Sequence, residues 1–116
     1  MKCLVIDDDE QYCELISQIL NRYGVEVTYC NSFECADNKI KDTLFDWILV
    51  DVIMPHGNGV EWIREHNHLE SKMFLLTGDL DDPRVSEPLA RKSLIYNGNI
   101  LKHELVEILD GILREI

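Results

Sequence analysis

The sequence predicts an α/β fold in which a five-stranded parallel sheet carries helices on both faces. Three observations point there. Short apolar runs alternate with stretches of helical period from end to end, the pattern of a parallel sheet with right-handed crossovers. Three of those runs end on an oxygen-bearing side chain: Val5-Ile6 runs into Asp7-Asp8, Ile48-Leu49-Val50 into Asp51, and Phe74-Leu75-Leu76 into Thr77. The length of 116 residues suits one well-buried core and is too short for two, so residues 1–116 are read as a single domain.

The elements follow in order. Lys2 to Ile6 reads as a short buried strand, and Tyr12, Leu15, Ile16, Ile19, Leu20 and Tyr23 then recur at helical spacing until Gly24. Val25 to Tyr29 is the second strand. Ser32 caps a polar helix whose buried face is Phe33, Ala36 and Ile40, and Trp47 to Val50 is the third strand. A loop with Pro55, Gly57 and Gly59 leads into a helix through Val60, Trp62 and Ile63, with Trp47 and Trp62 as core or half-buried anchors. Met73 to Leu76 is the fourth strand. The helix after it is short or bent, because Asp82-Pro83 could open it but Pro88 then falls inside, at a cost of about 3 kcal/mol. Leu94-Ile95-Tyr96-Asn97 is read as the fifth strand. Leu101, Leu105, Ile108, Leu109, Ile112, Leu113 and Ile116 form the stripe of a last helix capped by Asn99.

Composition narrows the class. Apolar residues make up 46% and charged residues 28%, which is globular composition, and no apolar run is long enough to span a bilayer. Without a signal-peptide pattern at Met1-Lys2-Cys3, a cytoplasmic location is the expectation. Cys3, Cys13, Cys30 and Cys35 show no C-x-x-C pair, so they are read as small buried hydrophobes of a reducing compartment rather than zinc ligands. A net charge of -11 argues against direct nucleic-acid binding. Two further groups read as surface: His66-Asn67-His68 on a polar helix end, and His56 in its loop.

Gathered at the carboxyl edge of one sheet, where open α/β folds bind ligands, Asp7, Asp8 and Asp51 would repel one another by about 1 to 4 kcal/mol per pair. A hard divalent cation relieves that repulsion. Mg²⁺ takes oxygen ligands and often binds through one or two carboxylates plus phosphate oxygens. One carboxylate could then act as a nucleophile toward phosphorus, giving an aspartyl phosphate.

The motifs VIDDDE, DVIMPHGNG with its Asp-x-x-Met-Pro, and LLTG resemble, in order and spacing over essentially the whole chain, the receiver domain of two-component response regulators. The resemblance implies a flavodoxin-like doubly wound sheet of strand order 2-1-3-4-5. It implies that Asp51 accepts a phosphoryl group from a histidine kinase or histidine phosphotransfer protein. Asp8, Asp51 and the backbone carbonyl of Ile53 would hold Mg²⁺, with Asp7 assisting through water. Thr77 would bond a phosphoryl oxygen, with Gly78 as the small residue beside it. Such a domain is a signalling phosphoacceptor rather than an enzyme beyond self-catalysed phosphotransfer and dephosphorylation, and its output partner is an effector domain or protein, or a second copy in a homodimer.

Two departures from the family pattern stand out. Where receivers carry a Lys-Pro pair after the fifth strand, the reading places Asn97, in preference to Lys102, which breaks the stripe of the last helix. Three residues earlier, where a switch aromatic is expected, stands Leu94. A missing lysine would keep open a degenerate receiver acting only as a protein-interaction module. A Mg²⁺-dependent phosphatase of the haloacid dehalogenase type needs a second acid two residues after the nucleophile, and Ile53 stands there. Flavin binding is disfavoured by the acidic loop after the first strand. The resemblance fits either a free-standing receiver or a fragment of a longer regulator.

Overall fold

In the computed structural model the described residues are 1–66, 69–77 and 98–101, with Thr77 and residues 98–101 described through their backbone. Strands β1 (Lys2–Ile6), β2 (Glu26–Cys30) and β3 (Trp47–Asp51) are followed by the two-residue strands β4 (Ile53–Met54) and β5 (Gly57–Asn58), then by β6 (Lys72–Thr77) and β7 (Gly98–Leu101). Helices α1 (Glu10–Arg22), α2 (Phe33–Asp42) and α3 (Gly59–Glu65) lie between them. The large sheet has the order β2-β1-β3-β6-β7, and every neighbouring pair is parallel. Numbered within that sheet, the order is the expected 2-1-3-4-5.

Helix starts follow from side-chain caps. Asp9 Oδ1 accepts the Tyr12 N–H at 3.2 Å to open α1, and Ser32 Oγ accepts the Cys35 N–H at 3.2 Å to open α2. Asn58 Oδ1 does the same for Val60 at 2.7 Å at the start of α3. Gly24, at φ +77°, takes the left-handed conformation that lets the chain leave α1 and turn back into β2.

Strand alternation divides the core between the two faces of the sheet. Leu4, Ile6, Ile48, Val50, Met73 and Leu75 face α2 and α3 and pack with Ala36, Val60 and Ile63. Cys3, Val5, Trp47, Leu49 and Leu76 face α1 and pack with Cys13, Ile16 and Leu20. All five residues of β3 are buried, as a central strand covered on both faces requires. Trp47 and Trp62 are both core residues, at 6% and 3% exposure. Leu15, expected on the apolar stripe of α1, is exposed instead.

Four expectations are corrected. The fifth strand runs from Gly98 to Leu101, not from Leu94 to Asn97, because its ladder with β6 pairs Phe74 with Gly98 and Thr77 with Leu101. Asn99 is therefore a strand residue rather than a helix cap. The loop after Asp51 is partly ordered as the antiparallel pair β4 and β5, with Ile53 opposite Asn58 and Met54 opposite Gly57. Cys30 and Cys35 are joined in a disulfide, because the end of β2 and the first turn of α2 bring their Cα atoms to 5.6 Å, whereas Cys3 and Cys13 are buried thiols as expected. The fourth helix around Pro83 and Pro88, the last-helix stripe beyond Leu101, and Asn67, His68, Gly78, Leu94, Asn97 and Lys102 lie outside the described residues.

Candidate functional site

The ladder between β1 and β3 pairs Ile6 with Val50, so the next residue of each strand, Asp7 and Asp51, arrives at one level of the carboxyl edge. Asp7, Asp8 and Asp51 each offer a carboxylate oxygen within 4.8 Å of the others. Asp7 is fully buried, Asp51 is 6% exposed, and Asp8 is exposed, so the cluster opens to solvent on one side. On the other side of β3, Asp51 pairs with Leu76, and Thr77 follows as the last residue of β6. Thr77 in turn pairs with Leu101, after which the chain continues to Lys102.

Backbone contacts hold the acids in place. The Asp7 N–H donates to the Cys30 carbonyl at 3.0 Å, and Asp7 Oδ1 accepts the Asp9 N–H at 3.0 Å. Asp51 Oδ1 accepts the Ile53 N–H at 3.3 Å. The segment beyond Asp51 is tied on both sides, by Val52 N–H to the Leu76 carbonyl at 3.0 Å and by Gly59 N–H to the Val52 carbonyl at 2.8 Å. Burial first, and then the charges of Asp7 and Asp51, push the Tyr12 phenol well above its ordinary range, which places that ring within the field of the cluster. The donor set is all oxygen and strongly negative, which fits a hard cation such as Mg²⁺ or Ca²⁺ and no soft metal.

The family model of the response regulator receiver domain matches residues 3–94. The chain belongs to that family. The receiver is 32% identical over 62 residues to the transcriptional regulatory protein ZraR of Klebsiella oxytoca, a match spanning 53% of this chain and 14% of ZraR. It is 24% identical over 100 residues to the response regulator receiver protein CpdR of Brucella abortus, covering 78% of this chain and 83% of CpdR. The crystal structure of a two-component response regulator from Clostridium difficile superimposes with a TM-score of 0.84 at 22% identity, covering 99% of this chain and 93% of that one, a likeness of fold. Receiver domains are signalling domains rather than classical enzymes and typically use Mg²⁺, and the response regulators that contain them interact with histidine kinases and output effectors.

Three features of the receiver escaped the reading of its residues. Gly59, which the sequence offers only as a loop or motif glycine, sits so close to β3 that a Cβ there would overlap the Asp51 carbonyl oxygen and press on Val50 Cγ1 at 2.9 Å. Tyr12, which the apolar stripe of α1 predicts as a core residue, is only half-buried against that core, and the charges of Asp7 and Asp51 act on its phenol. His66 is not surface decoration. Its ring stacks on Trp62 with centroids 4.1 Å apart, Nδ1 lies 2.7 Å from the Trp62 carbonyl oxygen, and Nε2 lies 3.1 Å from Asp37 Oδ1, which also accepts the Trp62 Nε1–H at 2.9 Å. His56 is exposed, as expected of its loop.

Proposed function

We propose that this receiver accepts a phosphoryl group on Asp51 from the phosphohistidine of a histidine kinase or histidine phosphotransfer protein and passes the change to an output partner. The observation that carries this reading is the convergence of oxygens from Asp7, Asp8 and Asp51 within 4.8 Å at the carboxyl edge. Asp8, Asp51 and the Ile53 carbonyl are the proposed Mg²⁺ ligands, with Asp7 acting through water. Mg²⁺ bound there supplies positive charge against both the crowded carboxylates and the phosphoryl oxygens. The Asp51 carboxylate, oriented by the Ile53 N–H, attacks phosphorus in line. As the O–P bond forms, the P–N bond to the donor imidazole breaks, and the released imidazole takes its proton from solvent. Thr77 donates its hydroxyl to a phosphoryl oxygen, and Gly78 leaves room beside it.

The position of β7 supports Lys102, rather than Asn97, as the charged partner of the phosphoryl group. Asn97 immediately precedes the strand, whereas Lys102 immediately follows Leu101, the ladder partner of Thr77. Counting three residues back from Lys102 puts Asn99, not Leu94, in the place of the switch aromatic, so that departure persists with a different residue. With Lys102 in that role, the pure interaction-module reading would lose the premise it rests on, a missing lysine.

Incubation with acetyl phosphate and Mg²⁺, followed by intact-mass measurement, tests the proposal. One phosphoryl group is expected on the wild type and none on Asp51→Asn. An unmodified wild type, under conditions that modify an ordinary receiver, overturns it.

A further inference from the structure

The turn between β2 and α2 carries chemistry that the phosphoryl site does not use. Cys30 is the last residue of β2 and Cys35 lies in the first turn of α2, and their bonded pair has a Cα separation of 5.6 Å, inside the range of native disulfides. Cys30 is buried, while Cys35 is partly open. The Ser32 cap holds the Cys35 amide in the first turn of α2, where the peptide dipoles favour a thiolate. Asn31, Ser32, Phe33 and Glu34, the residues between the two cysteines, line an open cleft of about 260 Å³ together with Pro55 and His56, so the turn that carries the pair borders solvent.

The same turn reaches the acids. The Cys30 carbonyl receives the Asp7 N–H at 3.0 Å, and Cys30 pairs with Ile6 across the ladder. A covalent link from Cys30 to α2 restrains that carbonyl, and with it the backbone of Asp7.

We propose that Cys30 and Cys35 form a reversible redox site, a dithiol–disulfide pair whose oxidised state firms the placement of Asp7 and tightens cation binding at Asp7, Asp8 and Asp51. The coupling rests on the cation reading above, whereas the redox pair does not. The oxidant is a low-molecular-weight disulfide of the glutathione class. The Cys35 thiolate attacks one of its sulfurs, the reagent's S–S bond breaks, and one thiolate leaves. Cys30 then gives its proton to solvent and its thiolate attacks the Cys35 sulfur, displacing the second reagent thiolate. Two protein thiols lose two electrons and two protons, and the reagent gains them as two thiols.

The test uses the whole chain, reduced with dithiothreitol and then placed in glutathione buffers of graded ratio. After quenching with an alkylating reagent, intact mass and peptide mapping are expected to show a Cys30–Cys35 link that forms and reverses with the buffer. The link is absent in Cys35→Ser and in Cys30→Ser, while Cys3 and Cys13 label only on unfolding. Failure to close the link, or arrest at a stable mixed disulfide with glutathione, overturns the redox site. Mg²⁺ titration by thermal shift on both forms is expected to give an apparent Kd about threefold lower for the oxidised protein. Values within a factor of about 1.5 overturn the coupling. If neither form gains stability with Mg²⁺, the cation reading and the coupling fall together, and the mass measurement still decides the redox site.

Discussion

Gly59 lies against the backbone carbonyl of Asp51 with no room for a Cβ between them, and its own N–H is bonded to the Val52 carbonyl at 2.8 Å. The start of α3 is thereby pressed onto the strand end that carries the proposed phosphoacceptor. Gly59→Ala is expected to push β3 and α3 apart, at a cost of about 1 to 3 kcal/mol in urea unfolding. Because the shift falls on Asp51 itself, phosphoryl uptake from acetyl phosphate should fall as well. A Gly24→Ala control, strained by its φ of +77° but far from the acids, should lose stability and keep uptake.

Asp7, Asp8 and Asp51 crowd three carboxylates within 4.8 Å. Asp8→Asn removes one charge from the exposed side, so in chelator the variant is expected to melt above the wild type. In millimolar Mg²⁺ the order should reverse, because the wild type gains binding energy that the variant has largely lost. Paired thermal melts with and without the cation check both signs.

Lys102 and Asn97 separate two registers of the fifth strand. With β7 at Gly98–Leu101, Lys102→Ala is expected to weaken beryllofluoride binding by about 10- to 100-fold, the worth of a charge-assisted hydrogen bond. Asn97→Ala should leave it unchanged. Fluorescence titration of Trp62 and Trp47 reads both variants, and the opposite ranking would return the lysine's place to Asn97.

Alkaline pH is expected to destabilise the domain through two weak acids, the buried Cys3 and the half-buried Tyr12. Burial pushes the Cys3 thiol up to about 12, and the Tyr12 phenol is raised above its ordinary range by burial and by Asp7 and Asp51. For groups raised in the folded state, the stabilising contribution is intact below the unfolded pKa and is lost as pH climbs through the folded one. The urea midpoint should therefore hold to about pH 9 and decline above it. Cys3→Val should flatten the first part of that decline and Tyr12→Phe the part above about pH 10, where free tyrosine ionises.

Trp62 joins α3 to α2 through its Nε1–H on Asp37 at 2.9 Å, and its ring stacks on His66 at the C-cap of its own helix. Trp62→Phe keeps the apolar ring in the core but leaves Asp37 without that donor. A loss of about 1 to 2 kcal/mol in urea unfolding is expected, with phosphoryl uptake retained.

The fold and the acid cluster were legible for the same reason. Regular alternation of strand and helix dictates a parallel sheet, and parallel strands deliver their last residues to one edge, so Asp7 and Asp51 meet without any knowledge of their side-chain contacts. The fifth strand was misread because Leu94-Ile95-Tyr96 has the stronger local strand character, while Gly98-Asn99 resembles a turn. In the structure Gly98 to Leu101 pairs with Phe74 through Thr77, so ladder register rather than local propensity marks that strand. The Cys30–Cys35 pair was hidden by its spacing, which fits no metal motif and becomes a contact only once the strand turns into α2. Gly59 was hidden because a glycine required by a turn and a glycine required by a neighbour look the same in a sequence.

The alternation that sends Leu4 and Ile6 to one core and Cys3 and Val5 to the other also governs the chemistry at the strand ends. Adding or deleting one residue inside β3 would act on the sheet as a frameshift acts on a reading frame. Every later side chain of the strand would swap faces, Val50 and Leu49 would trade cores, and Asp51 would step away from Asp7 by about 3.3 Å. The greasy interior thus serves as a proofreading device for the site, since a chain that misplaces its carboxylates must first misplace its core.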